Sequence, residues 1–431
     1  MQQTSKPTVT ILILTWNGQQ LLSTCLPPLI AQEYPTLRIV VVDNASTDDS
    51  IEFVRREFPQ VEIIQNDANL GFAKGFNAAI RQFNDTFDDY TILMNNDVIV
   101  PSDWLTTFVA EMDKVVDLGV AGCKLLYPDG TIQHLGAELS FPLAYSKHTY
   151  AYEEDAGQVT AVTDVDYVTG AVFALPRQTL QTVGLFDEQF SPFYMEEVDY
   201  CFRARDAGLR VVVIPQATAI HDESSSTKKV EGLQLWANNI NRLRFIVKHY
   251  STEQFLKAFV PAEKAHTKAS HSNIFYRLRR NLYLEMAFEL HERLAGVGRS
   301  ADLGVMQGAF MELHRFIVDL EPVGFSAERD SLQKEWLEQS NLKEHEFTSS
   351  IPLISQMRTM WHNVAGKWAL RKIVQQQSEF NQLTIQLLTT ILATQQVNSV
   401  TQQVNSIELN RLSALLLQQH IAQTEKKHPN L

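Results

Sequence analysis

This sequence of 431 residues has few cysteines, no long apolar runs and no net positive charge. Its three cysteines lie far apart, so their spacing indicates no disulfide framework. No apolar run reaches membrane-spanning length, and residues 1–10 lack the basic and apolar blocks of a signal peptide. We therefore expect the chain in a reducing cytoplasm, with peripheral contact at the inner face of the cell membrane as a further option.

Acidic residues outnumber basic ones, 50 to 37, which leaves a formal net charge of −13. This balance argues against a nucleic-acid partner, because such partners need clustered positive charge. An anionic ligand would therefore need a metal ion or a locally positive pocket. The length and the 45% hydrophobic content predict two or three globular units rather than one core.

The stretch 90–101, YTILMNNDVIVP, contains a candidate ligand site. Apolar residues 92–94 are typical of a strand buried on both faces, and the run stops at Asn95, Asn96 and Asp97. Open α/β sheets hold their ligands at this end of a strand. A carboxylate there predicts a hard cation and, through it, a diphosphate. Alternatively, Asp97 only caps the helix that follows a simple turn.

Strand and helix patterns alternate four times before residue 95, which predicts a parallel or mostly parallel sheet. The predicted strands are 8–14, 37–42, 61–65 and 90–94. Right-handed crossovers place the segments that follow these strands on one edge of the sheet, namely residues 15–17, Asp43, residues 69–77 and Asp97. The glycine spacing in residues 69–77 matches neither a dinucleotide-binding loop nor a P-loop, so neither a dehydrogenase nor an ATPase is indicated.

The predicted helices carry two local signals. Residues 20–32 have a helical pattern that Pro27 and Pro28 interrupt. Ser46 and Asp49 have the spacing of a capping box for a helix that runs to about residue 58, although Asp replaces the usual Glu or Gln.

Residues 8–250 contain, in this order, the motifs TILILTWNG, VVDNAST, NLGFAKGFN and MNNDV, followed by TGAVFALPR, GLFDE and YMEEVDYCFRARDAG. Together they resemble the family 2 glycosyltransferases with the GT-A fold, and the helix pattern at residues 236–250 resembles the helix that packs after the catalytic domain in rhamnosyltransferase-like members. No single motif carries the resemblance, because it depends on their order. It implies an α/β domain that binds a nucleotide-sugar donor.

The resemblance implies roles for residues in the first motifs. In the family, a carboxylate at the position of Asp43 contacts the nucleobase, and one at the position of Asp97 holds Mg²⁺ or Mn²⁺ against the diphosphate. Such a metal neutralises the leaving group. The expected donor-site residues are Thr15, Trp16, Asn17, Asp43, Asn69, Gly71, Lys74, Asn77, Asn95 and Asn96.

The metal motif of the family departs from its usual form in this sequence. Its first Asp is replaced by Asn95, which leaves one negative charge fewer and predicts modest metal affinity. His221, after the apolar strand 210–215 and a turn, matches a histidine that often completes the metal or diphosphate site. The alternative is an ordinary surface histidine.

The pair Glu196 and Glu197 supplies the expected general base. An inverting transferase needs a base within reach of the acceptor hydroxyl. The family takes it from the second residue of a Glu-Asp pair, which maps to Glu197 with one extra methylene. Asp199 belongs to the same motif, but we expect it to pair with Arg203 four residues later. Stabilisation of a helix start is the alternative role for these acids. The acceptor-side residues implied by the resemblance are Thr169, Gly170 and Ala171.

Beyond residue 227 the sequence favours helices. Residues 236–250 have helical spacing with a basic face, and we expect this helix to pack against a core rather than rest on an anionic membrane. Two further helices are predicted at 276–294 and 306–320. The basic residues Arg277, Arg279 and Arg280 are expected to face solvent.

The last segment is rich in glutamine. Residues 394–399 recur as 401–406, and this shift of seven residues places Val397, Val400, Val404 and Ile407 on a heptad seam. The pattern predicts a coiled coil that joins copies of the chain, and a register shift near Arg411. Low-complexity disorder is the alternative. The predicted domains are 1–227 (catalytic), 228–255 (packing helix), 256–367 (helical) and 368–431 (glutamine-rich, helical or coiled-coil).

The sequence thus predicts an inverting, metal-dependent glycosyltransferase whose mixed, mostly parallel α/β GT-A domain precedes an α-helical C-terminal region. The expected donor is dTDP-L-rhamnose, with a UDP-sugar as the alternative, and the expected acceptor is a cell-surface glycan or lipid-linked saccharide. A nucleotidyltransferase would need a glycine-rich, basic loop near its start, which residues 9–18 lack. The other alternative is a catalytically silent binding module, which would agree with the departures from the common family pattern at Asn95 and Glu197.

Overall fold

The computed structural model describes residues 6–83, 86–190, 193–222, 231–270 and 273–320, and these belong to one compact unit, Met1–Pro322. The strands are β1 (Val9–Thr15), β2 (Leu37–Asp43), β3 (Glu62–Gln65), β4 (Tyr90–Asn95), β5 (Val98–Ile99), β6 (Leu118–Leu126), β7 (Ile132–His134), β8 (Ala137–Leu139), β9 (Ser146–His148), β10 (Thr163–Asp164), β11 (Val172–Pro176) and β12 (Arg210–His221). The predicted coiled coil at 368–431 lies outside the described residues, and the predicted domain boundaries stay predictions.

Helices cover the sheet and then continue beyond it. They are α1 (Gln19–Ile30), α2 (Ser50–Glu57), α3 (Gly71–Arg81), α4 (Trp104–Met112), α5 (Arg177–Val183), α6 (Glu196–Asp206), α7 (Glu231–His249), α8 (Thr252–Gln254), α9 (Val260–Ala269), α10 (Asn273–Gly296) and α11 (Leu303–Leu320). A π-helical turn, Phe255–Phe259, joins α8 to α9, and a short 3₁₀ turn, Ser300–Asp302, precedes α11. Within the described part of the chain, no helix is long and apolar enough to span a bilayer.

The main sheet has the strand order β10-β12-β6-β11-β4-β1-β2-β3. Strands β1 to β4 are parallel, and β11 is antiparallel to both β4 and β6, so β6 and its parallel neighbour β12 run in the same direction as β1. The carboxyl ends of β1–β4, β6 and β12 therefore lie on one edge, and that of β11 lies on the opposite edge. The predicted mixed, mostly parallel sheet is confirmed.

Strand β1 shows why the sheet needs cover on both faces. Val9, Ile11 and Ile13 belong to one hydrophobic core, whereas Leu12 belongs to the other. Successive side chains of a strand point to opposite faces, so an uninterrupted apolar run buries both. This arrangement leaves the strand ends as the place where polar side chains can meet a ligand.

Three local predictions were wrong. Helix α1 continues through Pro27 and Pro28, because both lie in its last turns and remove only two backbone donors before the helix ends. No side chain caps α2, since the Ser46 hydroxyl accepts a hydrogen bond from the Asn17 amide instead. Strand β12 continues to His221 without an intervening turn, because a register shift after Ile214 accommodates Pro215.

The helical extension packs as predicted for α7, whose Leu243, Phe245 and Ile246 are buried. Its arginines are buried as well: Arg242 pairs with Glu263 at 2.7 Å and Arg244 with Glu289 at 2.6 Å. The predicted basic face is therefore taken up by ion pairs inside the protein.

The prediction that the basic residues of α10 all face solvent was wrong for Arg279. This side chain is 1% exposed and donates hydrogen bonds to the Thr267 hydroxyl and, at 2.7 Å, to the Tyr145 hydroxyl. An arginine in such a position exchanges its water shell for fixed acceptors. The helical extension is thereby tied to the loop between β8 and β9.

Candidate active site

The loops that follow β1 and β2 are joined by Asn17. Its backbone amide donates to the Ser46 hydroxyl at 2.8 Å, and its side-chain oxygen accepts from the Thr47 amide at 2.7 Å. Asn17 adopts a positive φ of 50°, which asparagine tolerates better than most residues. Trp16, beside it, is 42% exposed, so a large apolar side chain is available at this edge.

Thr15 connects the end of β1 to the segment after β4. Its hydroxyl accepts a hydrogen bond from the Asn96 side chain at 2.8 Å. A Cβ at Gly18 would lie 2.4 Å from the Asn96 amide nitrogen and 2.5 Å from the Thr15 hydroxyl, so this contact requires glycine. Thr15, Asn17 and Asn96 are brought together as the sequence predicted.

Asp43 is fully buried at the end of β2. One carboxylate oxygen accepts from the Ser46 amide at 3.0 Å and the other from Gln65 at 3.4 Å. Asn44 was not among the predicted site residues, yet its side chain donates to the Gly71 carbonyl and accepts from Asn66. It holds the loop before α3 against β2.

The loop predicted around residues 69–77 divides into two parts. Asn69 accepts a hydrogen bond from the Gly71 amide at 3.1 Å, and Gly71 begins α3 with a positive φ of 73°. Lys74 is exposed in the first turns of α3. Asn77 is buried, and its amide group bonds both the Phe186 backbone and Glu188. Because those contacts occupy its donor and its acceptor, we do not include Asn77 in the proposed nucleotide site.

Asp97 and His221 face each other at this edge of the sheet. The distance between Asp97 Oδ1 and His221 Nε2 is 3.1 Å, and both side chains are buried. Nδ1 of His221 lies 2.6 Å from Gln133 Oε1, while the Gln133 amide nitrogen lies 3.4 Å from the His221 carbonyl. An amide oxygen can only accept, so the hydrogen belongs on Nδ1, and in its neutral form His221 would present a lone pair on Nε2.

With His221 in this neutral form, two acceptor atoms approach each other and no residue in the described ranges donates a hydrogen bond to Asp97 Oδ1, whereas a protonated His221 would form an ion pair with Asp97. A cation between them would satisfy both, which is the arrangement expected where a carboxylate and a neutral imidazole hold a divalent metal. Among described side chains, no three His, Cys, Asp or Glu residues form a metal cluster. Asp97 and His221 would therefore supply only part of a coordination shell, with Asn95 3.5 Å from His221 Nε2.

The predicted acceptor-side residues lie next to the end of β4. The Asn95 amide donates to the Ala171 carbonyl at 3.1 Å, and the Thr169 amide lies 3.3 Å from His134 Nε2. A Cβ at Gly170 would lie 2.6 Å from the ring of Phe72, so any larger residue there would have to displace that ring. His134, which sequence reasoning missed, is buried on β7 beside Gln133.

Glu196 and Glu197 open α6 directly after two strained residues. Tyr194 and Met195 have positive φ values of 75° and 73°, a conformation that is costly for side chains of this size. Burial raises the pKa of Glu197 to about 7, and burial together with the charge of Glu197 raises the pKa of Glu196 well above its usual range. A carboxyl group with a pKa near neutrality can both accept and release a proton.

Asp199 has the opposite character. Arg203 Nε and His249 Nε2 each lie 2.8 Å from its carboxylate, and Lys248 Nζ lies 2.6 Å away. Burial acts to raise the pKa of Asp199, but the His249 hydrogen bond and the charges of Arg203 and Lys248 outweigh it and hold the pKa below its ordinary value. The predicted pairing with Arg203 is confirmed, and these contacts anchor α6 to α7.

The fold and this edge define a mixed α/β protein that binds ligands at the carboxyl ends of its strands. Residues 7–247 match the model of the family described as Glycosyltransferase like family 2, which is more than half of the chain. The chain therefore belongs to this family. The predicted family is confirmed. The mixed, mostly parallel sheet followed by helices α7 to α11 also agrees with the predicted α/β domain and the helices after it.

Individual relatives are distant. The chain is 28% identical over 232 residues to the O-antigen biosynthesis protein RfbC of Myxococcus xanthus, covering 52% of this chain and 18% of that protein. It is 24% identical over 242 residues to the N-acetylglucosaminyl-diphospho-decaprenol L-rhamnosyltransferase of Mycobacterium tuberculosis, covering 52% of this chain and 78% of that protein. A crystal structure of GalNAc-T7 with UDP, GalNAc and Mn²⁺ is similar with a TM-score of 0.48 and 14% identity, covering 66% and 58% of the two chains.

The matches cover only small parts of some relatives. They span 18% of RfbC and 28% of the uncharacterized protein y4gI of Sinorhizobium fredii.

Proposed function

We propose that this chain is an inverting, metal-dependent glycosyltransferase that moves a sugar from a nucleotide-sugar donor to a hydroxyl of a saccharide acceptor. The observation that carries the proposal is the pair Asp97 and His221, whose acceptor atoms lie 3.1 Å apart at the ligand-binding edge of the sheet. Family membership supports the reaction class.

The donor nucleotide would lie at the ends of β1 and β2. Asp43 would accept a hydrogen bond from the nucleobase, and Thr15, Trp16 and Asn17 would line the pocket. Asn96, which bonds Thr15, would connect this pocket to the diphosphate site. The diphosphate would then lie near Asp97, with Lys74 exposed on the first turns of α3 to offset its charge.

Asp97 and His221 would hold Mg²⁺ or Mn²⁺, with Asn95 adjacent. When bound, the cation would neutralise the charge that develops on the departing diphosphate. Gln133 accepts the hydrogen of His221 Nδ1 and so keeps Nε2 directed toward Asp97. Such a partner fixes both the tautomer and the ring orientation of a metal-binding histidine.

Glu197 would act as the general base. An uncharged hydroxyl is a poor nucleophile, and removal of its proton as the new bond forms makes attack on the anomeric carbon feasible. Strained residues before α6 and a fixed ion-pair network behind it hold this carboxyl group in place. Thr169, Gly170 and Ala171 would line the acceptor side, because they lie next to Asn95.

The preferred donor is dTDP-L-rhamnose, since a family relative bears the name of an L-rhamnosyltransferase. A UDP-sugar is the alternative. The preferred acceptor is a lipid-linked saccharide diphosphate, since N-acetylglucosaminyl-diphospho-decaprenol occurs in that relative's name. A cell-surface glycan is the alternative acceptor.

The test is turnover by the purified full chain with a panel of dTDP- and UDP-sugars and a short-chain N-acetylglucosaminyl-diphospho-lipid. Each reaction is run with Mn²⁺, with Mg²⁺ and with a chelator. Sugar transfer that requires a divalent cation supports the proposal. Thermal-shift measurements on the same panel would identify the second candidate, a catalytically silent binding module, because such a protein binds nucleotide without turnover. The feature that favours this candidate is Asn95, which replaces a charged metal ligand.

A further inference from the structure

Tyr127 and Tyr152 form a stacked pair outside the site described above. Their ring centroids are 5.5 Å apart and the ring planes differ by 14°. Tyr152 is nevertheless 76% exposed, although a large aromatic side chain usually buries most of its surface. The pair therefore presents a flat aromatic surface to solvent.

The exposure of Tyr152 does not come from a loose segment. Its backbone amide donates to the Ile132 carbonyl at 2.7 Å, and the Ile132 amide donates to the Glu153 carbonyl at 2.8 Å. Asp155, farther along, forms an ion pair with Lys124 at 2.5 Å. Tyr152 is held at a positive φ of 69°, a strained conformation that persists only where its surroundings enforce it. A rigid exposed aromatic ring costs little further entropy when it binds a ligand.

The stacked pair lies on the same edge of the sheet as Asp97 and His221. Tyr127 follows β6, whose last residue Leu126 pairs with Ile220, the neighbour of His221 on β12. On the other side, Tyr152 bonds Ile132, which precedes Gln133, the hydrogen-bond partner of His221. The pair is thus at the rim of the proposed active site.

The distance between the stacked tyrosine pair and the proposed nucleobase site indicates which ligand the pair can bind. Strand β2, which carries Asp43, is separated from β6 by four strand spacings, or roughly 19 Å at the usual interstrand distance. The nucleobase at β2 cannot reach the stacked pair while the diphosphate occupies the site at Asp97. This separation favours a ligand from the acceptor side.

We propose that Tyr127 and Tyr152 form a subsite that binds a pyranose ring of the saccharide acceptor. One face of a pyranose presents C–H groups that pack on an aromatic face, while its hydroxyls remain at the rim, in water or bonded to polar groups. The face of the tyrosine ring makes this contact, and the contact does not need the hydroxyl. The assignment rests on the proposed glycosyltransferase function and adds a specificity site for the acceptor.

The test compares Tyr152→Ala and Tyr152→Phe with Tyr150→Ala in the full chain. Tyr150 is a matched control, because it is also exposed and also has a positive φ, but the structure records no ring contact for it in the described segments. With the N-acetylglucosaminyl-diphospho-lipid as acceptor, Tyr152→Ala should raise the acceptor KM by about three- to tenfold. The donor KM and the slow hydrolysis of donor by water should stay unchanged, and Tyr152→Phe should resemble the wild type.

Binding is measured separately, by saturation-transfer NMR with octyl N-acetylglucosaminide in the presence of nucleoside diphosphate and Mg²⁺. Contact between the sugar C–H groups and the protein should be lost in Tyr152→Ala and kept in Tyr150→Ala. Equal loss in both variants, or no loss in either, overturns the subsite. If nucleoside diphosphate also fails to bind the wild-type protein, the proposed function itself is wrong, whereas intact nucleotide binding without sugar contact refutes only the subsite.

Discussion

His221 Nε2 lies 3.1 Å from Asp97 Oδ1, while Gln133 accepts the hydrogen on the opposite ring nitrogen at 2.6 Å. With His221 neutral, two lone pairs would face each other across a gap that suits a cation. Asp97, Gln133 and His221 come from separate strands or loops, so single substitutions can test the contribution of each.

Asp97→Ala should abolish the enhancement by Mn²⁺ of nucleoside diphosphate binding, because the variant lacks the carboxylate ligand. Gln133→Leu should weaken metal affinity by about 10- to 100-fold, since it frees the tautomer and orientation of His221. Isothermal titration calorimetry with and without Mn²⁺ measures both effects.

As a control, Asp43→Ala should weaken nucleotide binding about tenfold or more even without metal, because a hydrogen bond to a charged group is lost. Metal-enhanced binding that survives Asp97→Ala refutes the ligand assignment.

Replacing Glu197 with Gln should lower turnover by about 10²- to 10⁴-fold with little change in nucleotide affinity. The amide keeps the shape of the side chain but cannot take a proton. Because burial raises the pKa of Glu197 to about 7, the wild-type rate should rise with pH through that value, and the variant should lack this limb. Glu197→Asp should retain part of the activity, since it keeps a carboxylate but withdraws it by one methylene.

Asp199→Asn is the matched comparison for Glu197→Gln, since both changes convert an acid of α6 to its amide. We expect Asp199→Asn to lower the melting temperature, because Arg203, Lys248 and His249 lose the charge that they surround. If Asp199→Asn folds normally and is inactive while Glu197→Gln turns over, the base is Asp199.

Glu196 and Glu197, at the start of α6, should make folding depend on pH. The pKa of Glu197 rises from an ordinary 4.5 to about 7 on folding, and that of Glu196 also rises. The folded state then binds more protons than the unfolded chain, so this contribution to the free energy of unfolding is largest below about pH 4.5 and is lost as pH rises through about 7. Urea unfolding at pH 5 and pH 8 should show a smaller decline in a Glu196→Gln, Glu197→Gln double variant than in the wild type. An equal decline of the unfolding free energy in both proteins would contradict the raised pKa values of Glu196 and Glu197.

The buried triad of Arg242, Glu263 and Arg279 should be sensitive to loss of its acid. Burial acts to raise the pKa of Glu263, but the charges of Arg242 and Arg279 lower it overall, so the carboxylate stays ionised. Glu263→Ala leaves two buried guanidinium groups without their counter-ion and should cost about 3–5 kcal/mol of unfolding free energy. Glu253→Ala, which breaks an exposed pair with Lys257, should leave the melting temperature nearly unchanged. Equal effects of the two changes would refute this ranking.

The heptad pattern of residues 394–407 predicts a homo-oligomer. A chain shortened to residues 1–367 should be monomeric by light scattering and should still bind nucleotide, whereas the full chain should be larger than a monomer. A monomeric full chain would show that the seam does not join copies.

The sequence by itself predicted the family, the first four strands, and the positions of Asp43 and Asp97 at the ends of two of them. These features are local: an apolar run defines a strand, and the polar residue that ends the run lies at the sheet edge. Even Asn95, as a departure from the family motif, can be recognised in five consecutive letters.

Only the tertiary structure decided which side chains support these residues. Gln133 and His221 are 88 positions apart, and nothing near Gln133 marks it as the partner of a metal-binding histidine. Arg279 looks like a solvent-exposed basic residue until α10 packs beside Glu263, and Tyr127 meets Tyr152 only because β7 brings their loops together. Local patterns report burial and backbone conformation, whereas the pairing of distant polar and aromatic groups depends on packing between elements far apart in the chain.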